Sequence, residues 1–262
     1  LQKNSKAKAL GSVFWNNNRL ASSAAVKMGD SSIALENCVV WGHPTSFSGD
    51  GAISVTNSAL DARGTHGRIY SFPVGGIANF SGDYNCYSRK DGALLAEQKR
   101  DVGGNDFYND LPSWSEVANA DGHSMTVQDP LFANELTGDF HPLSTKGRFA
   151  GSGWTNDMVQ SPLIDAGNPR SVYTNEPQPN GGIINIGAYG NSSQASMTQT
   201  NPPWLRVISF NECQDVMTGD SLLYWLHGGM PSNAPVRLEY STDYQINWEV
   251  LASNLTAGSR QY

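Results

Sequence analysis

Two short stretches near the start of this chain repeat one pattern twenty residues apart. Residues 33–40 read IALENCVV, and residues 53–60 read ISVTNSAL. The matching positions are Ile33 with Ile53, Leu35 with Val55, Asn37 with Asn57, and Val39 with Ala59. Apolar residues spaced by two predict strands with one buried face. We expect the two asparagines to stack at a turn, with their amides hydrogen-bonded along the stack.

A second repeat has a longer offset of 26 residues. Residues 12–17 read SVFWNN, and residues 38–43 read CVVWGH. Repeats of 20 to 26 residues are typical of β-solenoid coils. One coil cannot bury its apolar face alone, so neighbouring coils stack and share a continuous core.

The stretch from 121 to 190 is rich in Gly, Pro, Asn and Asp, with only short apolar runs between them. It carries no helical stripe of apolar residues. Its turn signals include Asp129-Pro130 and Asn168-Pro169. This pattern predicts the closing coils of the solenoid, with brief strands alternating with ordered turns.

Three segments between these parts have a different character. Residues 61–78 break the repeat and predict a loop that leaves one coil. Residues 88–110 carry the densest charge and predict a protruding loop or a short solvated helix. Residues 111–120, LPSWSEVANA, predict a helix with Pro112 in its first turn and Ser113 or Ser115 near the cap. Trp114 and Val117 are expected to dock on the solenoid.

A small, polar segment at 191–203 ends in two prolines and predicts a linker between domains. Beyond it the pattern becomes alternating strands at 205–210 and 221–227. A hairpin of strands follows, at 235–243 and 247–255. Short strands with close turn signals predict an all-β sandwich over 204–262.

Composition excludes several classes of function. Charged residues make up 16% of the chain, and the net charge is −7, which argues against binding to nucleic acid or to an anionic membrane. No apolar run is long enough for a membrane span, and the first residues, LQKNSKAKAL, lack the pattern of a signal peptide. The three cysteines have no metal-like spacing and are expected to be buried.

Several strings, in one order, resemble the C-terminal end of a known family. They are GDYNCY, LPSWSEV, DGHS, DPLF, GDFH, SPLIDAG, EPQPNGG and NIGAYG. They resemble secreted right-handed parallel β-helix proteins of Planctomycetes and Verrucomicrobia. The resemblance and the repeats together predict an all-β fold, with a pectate-lyase-like right-handed parallel β-helix over 1–190. The same tail follows many different upstream coils, so the resemblance implies fold rather than activity.

The C-terminal part is similar to secreted immunoglobulin-like modules. The similarity rests on VRLEYSTDYQINWEVLASNL and on RVISFNECQDVMTGDSLLYW. The sequence departs from their pattern, since NECQ stands where Gly-Gly-Glu is usual and DYQ stands where Asp-Gly-Gly is usual. An incomplete immunoglobulin-like sandwich is the expectation, in a fragment of a larger multidomain protein.

Two sets of residues are candidates for binding carbohydrate. Trp15 and Trp41 hold matching coil positions and are expected to stack outside the solenoid, where aromatic faces pack on sugar rings. The alternative for them is packing against a loop. The second set could hold an acidic sugar from the predicted loop. Its members are Arg63, His66, Arg68 and Tyr70.

An acidic cluster is the candidate metal site. Asp101, Asp106 and Asp110, with Asn105 and Asn109, provide hard oxygen ligands that suit Ca²⁺, although their order is not that of an EF-hand. The alternative is a solvated acidic loop, which the sequence favours. No other cofactor is expected.

No convergent catalytic set is evident. The aspartates of the solenoid lie in turns, where Asp side chains bond their own backbone, and His123 and His141 are expected to make structural hydrogen bonds. We therefore expect a non-catalytic secreted or cell-surface segment, a stalk, an adhesin or a glycan-binding part. Its partners would be extracellular polysaccharide or other surface proteins. The alternative is the distal part of a polysaccharide lyase or glycoside hydrolase whose active coils lie upstream.

Overall fold

The computed structural model describes residues 4–16, 24–200, 203–207, 222–241, 247–259 and 261–262. The chain divides into two compact units, residues 1–198 and 199–262. The predicted linker at 191–203 straddles this division, and its first eight residues lie with the first unit, where Ser196 and Thr198 are buried. No described helix is long and apolar enough to cross a membrane.

The first unit is built mainly from strands that join three sheets in turn. The first sheet contains β1 (Lys6–Leu10), β4 (Ser32–Glu36), β7 (Ala52–Thr56) and β10 (Phe80–Asp83). The second contains β2 (Val13–Trp15), β5 (Val39–Trp41), β8 (Ala59–Arg63), β11 (Cys86–Lys90) and β14 (Met125–Thr126). The third contains β3 (Ala24–Met28), β6 (Thr45–Gly49), β9 (Arg68–Phe72), β12 (Leu94–Lys99) and β13 (Asn105–Tyr108). We call each successive triplet, beginning with β1, β2 and β3, a coil.

Both sequence repeats are confirmed by the strand register. Ile33 pairs with Ile53 in the first sheet, at the offset of twenty. Trp15 pairs with Trp41 in the second sheet, at the offset of 26. Among the described strands of these three sheets, the pairings between successive coils are parallel, and β13 alone runs antiparallel to its neighbour. The period-two pattern of apolar residues therefore predicted the stacking of the coils correctly.

Two predicted loops proved to be strands. Residues 61–78 continue β8 into β9 and end in a 3-10 helix, Gly76–Asn79, so the expected outlying loop is wrong. A turn at Gly64–Gly67 separates the two strands, and it hides the repeat because it lengthens the coil. Residues 88–110 are also largely extended, with β12 and β13 forming a hairpin. Their charged residues are divided between the strands, such as Lys90 on the second sheet and Glu97 on the third, and the turns, such as Asp101.

The corner between the first and second sheets is built on left-handed backbone. Asn37, Asn57 and Tyr84 take φ values of 51°, 52° and 57° at the same place in successive coils. The asparagines do not use their amides as expected. Asn37 Nδ2 donates to Asn185 O at 2.9 Å, and Asn57 Oδ1 accepts from Asn168 N at 2.7 Å. Both amides thus bind the C-terminal tail of the unit.

A run of hydrogen bonds links the coils beside this corner. Cys38 N donates to Ser58 Oγ, Ser58 N donates to Asn85 Oδ1, and Asn85 N donates to Ser124 Oγ, at 2.9 to 3.0 Å. Each turn amide is therefore satisfied by the next coil, as buried donors require. Cys38 and Cys86 are buried free thiols, as predicted, whereas Cys213 lies outside the described residues.

One end of the core is closed by a helix, α1 (Leu111–Ala118), which confirms the predicted helix. Its N-cap is Asp110, whose carboxylate accepts from Ser113 N, so the expected serine cap is wrong. Trp114 is fully buried and stacks on Tyr70 and Phe72, with ring centroids 5.4 and 5.9 Å away.

Val117, expected to dock beside Trp114, is instead 47% exposed. The helix therefore closes the core with one apolar face formed by Leu111 and Trp114, and Val117 points away from it.

The tail from Val127 to Thr198 does not form further coils, so the predicted continuation to residue 190 is wrong. Parallel pairing ends at Thr126. The tail contains only two short antiparallel pairs among turns. Its strands are β15 (Phe132–Asn134), β16 (Asp139–Pro142), β17 (Arg148–Phe149) and β18 (Trp154–Thr155).

This tail covers the outer face of the second sheet. Phe140, Leu163 and Ile186 of the tail form one buried cluster with Val39 and Ala59 of the sheet. The second sheet is therefore buried on both faces, which explains why all three residues of β5 are buried. Short apolar runs serve here as a cover and not as coil strands.

The second unit contains two antiparallel pairs among its described residues: β19 (Trp204–Val207) with β20 (Trp225–Gly228), and β21 (Pro235–Tyr240) with β22 (Glu249–Thr256). The predicted hairpin is confirmed by the second pair. Its core contains Trp225, whose Nε1 donates to Ala257 O at 3.1 Å. A second 3-10 helix spans Ala257–Ser259. The predicted positions 208–210 and 221, and the hairpin turn at 244–246, lie outside the described residues.

Replacing Trp114 by alanine should destabilise the first unit by about 3–5 kcal/mol, because the change empties the closed end of the core. The matched control is Trp154→Ala, since Trp154 is 43% exposed and should cost less than about 1 kcal/mol. Urea denaturation followed by circular dichroism would measure both. Equal losses in the two variants would contradict the capping role of α1.

Candidate functional site

Two of the predicted site residues meet on the outer face of the second sheet. Trp41 lies on β5 and Arg63 lies at the end of β8, one coil further on. Beside them are Asp61 and Lys90, and the turn between β15 and β16 brings Glu135 over them. We call Asp61, Arg63, Lys90 and Glu135 the charged cluster.

Glu135 accepts hydrogen bonds from three side chains. Arg63 donates from its NH2 group at 3.0 Å, Lys90 Nζ donates at 3.1 Å, and the indole of Trp41 donates from Nε1. Burial by itself would raise the pKa of Glu135, but hydrogen bonds from Trp41 and Lys90 and the charge of Arg63 outweigh burial. The pKa of Glu135 therefore lies below its usual value. Glu135 is thus held as a carboxylate that fastens the tail to the sheet.

Asp61 lies beside Arg63 and is completely buried. Its Oδ2 accepts from Arg63 Nε at 2.5 Å, and its Oδ1 accepts from Gly42 N at 2.8 Å. Burial raises the pKa of Asp61 to about 6, even though Arg63 opposes the shift.

His43 is also buried, in the turn that follows β5. Its Nε2 lies 3.2 Å from Phe14 O, while Nδ1 has no hydrogen-bond partner in the described part of the chain. Burial lowers the pKa of His43, which favours a neutral ring.

Neither tryptophan offers an open ring for a sugar. Trp41 is 1% exposed and packs edge-on against Phe132 and Phe140, with centroids 5.0 and 6.2 Å away. Trp15 is partly buried and packs edge-on against Phe140 at 6.3 Å. These contacts correspond to the packing alternative, because the tail occupies the surface on which a glycan would lie.

The other predicted sugar-binding residues are dispersed. Tyr70 is fully buried inside the core, so it cannot act with the surface residues as expected. The error follows from reading strand β9 as a loop. Arg68 donates to Glu97 Oε2 at 2.8 Å on the third sheet. His66 is exposed in the turn at 64–67.

The three candidate calcium ligands do not converge either. Asp106 Oδ1 accepts from Arg100 Nε at 2.8 Å, Asp110 caps α1, and Asp101 is exposed in the turn of the β12–β13 hairpin. Among the described residues, no group of three or more His, Cys, Asp or Glu side chains is arranged to hold a metal ion.

Most of the aspartates assigned to turns do make local bonds. Asp129 Oδ1 accepts from Leu131 N, and Asp139 Oδ1 accepts from His141 N. His141 Nδ1 lies 2.6 Å from the same Asp139 oxygen. His123 Nδ1 lies 2.7 Å from Asp83 Oδ2, so both histidines make the expected structural hydrogen bonds.

Asp121 is the most thoroughly satisfied of these aspartates. It accepts from Tyr87 Oη and Trp114 Nε1 at 2.8 Å, and also from Asn85 and Ser124. Burial raises its pKa despite these bonds. Four donors on one buried carboxylate tie the coils, the cap helix and the following turn together, which is a structural task.

Sequence reasoning missed three members of the charged cluster: Asp61, Lys90 and Glu135. A signal existed for the first two, because Asp61 follows Ala59 by two residues and Lys90 pairs with Arg63. Alternation therefore places both on the outer face of the second sheet. Glu135 gave no such signal, since it contacts Arg63 from 72 residues away.

Comparison with known proteins gives one match. A family model described as disaggregatase related matches residues 101–167. It is a coarse pointer to a β-helix-like family. No curated protein and no solved structure matches the chain. The matched segment runs from the β12–β13 hairpin through α1 and into the tail, and it includes Glu135 but not the other members of the charged cluster.

Glu176 gives the pH dependence of the tail a testable sign. Burial raises its pKa from 4.5 to about 7, while its Oε1 accepts from Asn185 N and Asn191 N at 2.8 Å. Between pH 4.5 and 7 the folded state therefore binds more protons than the unfolded state. The stabilisation from Glu176 should fall as pH rises through this window, by about 3 kcal/mol at most.

The measurement compares urea denaturation of the wild type and Glu176→Gln from pH 4.5 to 8. His43 acts in the opposite direction, so the difference between the two proteins isolates Glu176. Glu116→Gln, at an exposed position of α1, is the control. A difference that stays constant across this range would show that Glu176 is not the protonated group.

Proposed function

We propose that this chain is a non-catalytic segment of a secreted or cell-surface protein that binds extracellular polysaccharide or serves as a stalk. One observation carries the proposal. The outer face of the second sheet, where Trp41 and the charged cluster lie, is occupied by the chain's own tail. A surface that is already covered has no room for a substrate.

The architecture proposed for the first unit is a right-handed parallel β-helix. Its support is the strand order, in which each coil adds one strand to each of three parallel sheets. Crossovers between parallel strands of one sheet are right-handed in nearly all proteins, so this hand is the one proposed. For the second unit we propose an immunoglobulin-like sandwich, supported by its antiparallel pairs and by the sequence resemblance.

The chemistry of the buried carboxylates argues against hydrolysis. A glycosidase needs two carboxyl groups, about 5 to 9.5 Å apart, that flank the bond to be broken. Asp61 has a raised pKa, as a general acid would, but it is completely buried and bound to Arg63. Glu135 is engaged by three donors, and Asp121 by four. Asp61 and Asp121 are almost completely buried, and all three carboxylates are already engaged by donors of the chain itself.

The surfaces that stay open are polar rather than reactive. The first sheet presents small side chains outward, such as Ser54 and Thr56, beside the Lys8–Glu36 ion pair. The third sheet presents an interacting group around Glu97, which accepts from Arg68 and Ser71. Such faces suit a spacer or a surface that hydrogen-bonds a polyhydroxylated polymer.

A second function has one observation in its favour. The chain is alternatively the distal part of a polysaccharide-degrading enzyme, a lyase or glycoside hydrolase, whose active coils lie upstream. The match to a disaggregatase-related family supports this reading. The matched residues, however, form the cap and the first half of the tail. Within this chain they close the core and cover the second sheet.

Purified protein should leave alginate, pectin, chondroitin sulfate and fucoidan intact, because the described carboxyl groups with a raised pKa, as a general acid needs, are the buried ones: Asp61, Asp121 and Glu176. Release of reducing ends and of unsaturated uronate would be measured over long incubations. Activity in the wild type that is lost in Asp61→Asn but kept in Asp129→Asn would overturn the proposal. Such a result would place the catalytic acid in the charged cluster and favour the enzyme.

A further inference from the structure

A polar groove runs along the corner where the third sheet passes into the first. Two adjoining cavities, each of about 410 Å³, share Asp50 as a common wall. We call the joined cavities the corner groove. One cavity extends over the first sheet towards Lys6, and the other extends over the third sheet towards Lys99.

The groove crosses the coils instead of following one strand. Lys6 and Ser32 are register partners in the first and second coils. Asp50 follows in the turn after β6, and Ser71 lies on β9 in the third coil. Lys99 ends β12 in the fourth coil. Neighbouring strands are about 4.8 Å apart, so four coils give a groove about 15 Å long. That length suits a short run of sugar rings in a linear chain.

The floor of the groove is backbone. At Gly49 and Gly51, an added Cβ would lie 2.0 Å from Met28 O and Ser31 O respectively, so only glycine lets these corners stack so closely. Gly49 also has a φ of 139°, which disfavours other residues. Both glycines line the groove, so no side chain rises from its floor at these two positions.

The charges along the walls balance. Asp30 and Asp50 face Lys6 and Lys99, and Asp50 Oδ1 accepts from Asp30 N at 2.8 Å. A groove of this kind lacks the basic track that nucleic acids and sulfated polymers require. It also lacks the apolar floor that binds an amphipathic helix. Carboxylate, hydroxyl and ammonium groups together suit a polymer with many hydroxyl groups.

We propose that the corner groove binds a linear, neutral polysaccharide through hydrogen bonds to its hydroxyl groups. The proposal rests on the polysaccharide-binding role proposed above and assigns its site. Asp50, at the centre, accepts from sugar hydroxyls, while Lys6 and Lys99 donate near the two ends. The occupant is a chain that lies along the axis of the coils, since the walls repeat from coil to coil.

Affinity electrophoresis of the full chain tests this, with gels that contain galactomannan, dextran or pectin. Wild-type protein should be retarded by at least one of the two neutral polymers. Asp50→Ala should weaken binding about five-fold, the effect of one or two lost hydrogen bonds. Glu116→Ala, which removes the same charge from exposed α1, should bind like the wild type. Thermal melts would confirm that each variant is folded.

A second variant keeps the test independent of the Asp30–Asp50 hydrogen bond. Ala52 lines the groove with an exposed side chain, so Ala52→Trp should block the groove and abolish retardation. If the wild type binds and both groove variants bind equally well, the corner groove is not the site, although the binding role stands. If the wild type binds none of the polymers, the binding role itself fails. Retardation by pectin alone, lost in Lys99→Met, would overturn the neutral class of ligand.

Discussion

Parallel pairing between successive coils is the interaction on which the rest of this structure depends. A single coil contributes only a few inward residues, such as Ile33 and Leu35, and cannot remove them from water alone. Stacked on the next coil, these residues lie over Ile53 and Val55, which share the core. At the corner between the first and second sheets the stack leaves turn amides that need side-chain partners. The run of bonds through Ser58 Oγ and Asn85 Oδ1 satisfies them, so the polar corner is as necessary as the apolar interior.

The tail meets a second requirement of the stacked coils, which is to cover the outer face of the second sheet. The second sheet has apolar residues on both faces, including Val39 and Ala59 on the outer one, and these would otherwise be left in water. Phe140, Leu163 and Ile186 cover that face, and Asn37 and Asn57 hold the tail at the corner. Glu135 fastens it at the other margin through Arg63 and Lys90. Ion pairs that are only partly exposed fix position more than they add stability. The charged cluster is best understood as such a fastening.

The sequence predicted the features that depend on short-range periodicity. The twenty-residue offset gave the register of Ile33 with Ile53 because inward residues must recur at equivalent places in each coil. The same logic failed where the turn at 64–67 lengthened a coil and concealed β9, and Tyr70 was assigned to the surface as a result. The tail was misread for a different reason. A short apolar run such as Leu163-Ile164 looks the same as a coil strand or as a cover, and only its distant partners decide. The same distance hid Glu135.

Function follows from which surfaces the stacking leaves available. Trp114 closes the core and the tail covers the second sheet, so the faces left open are those of the first sheet, the third sheet and the corners. Tight glycine corners at Gly49 and Gly51 bring neighbouring coils together and leave a backbone floor between polar walls. The part that resembles a disaggregatase-related family supplies the cap and much of the cover. That part closes the core and covers the second sheet, whereas the residues that line the corner groove all lie outside it.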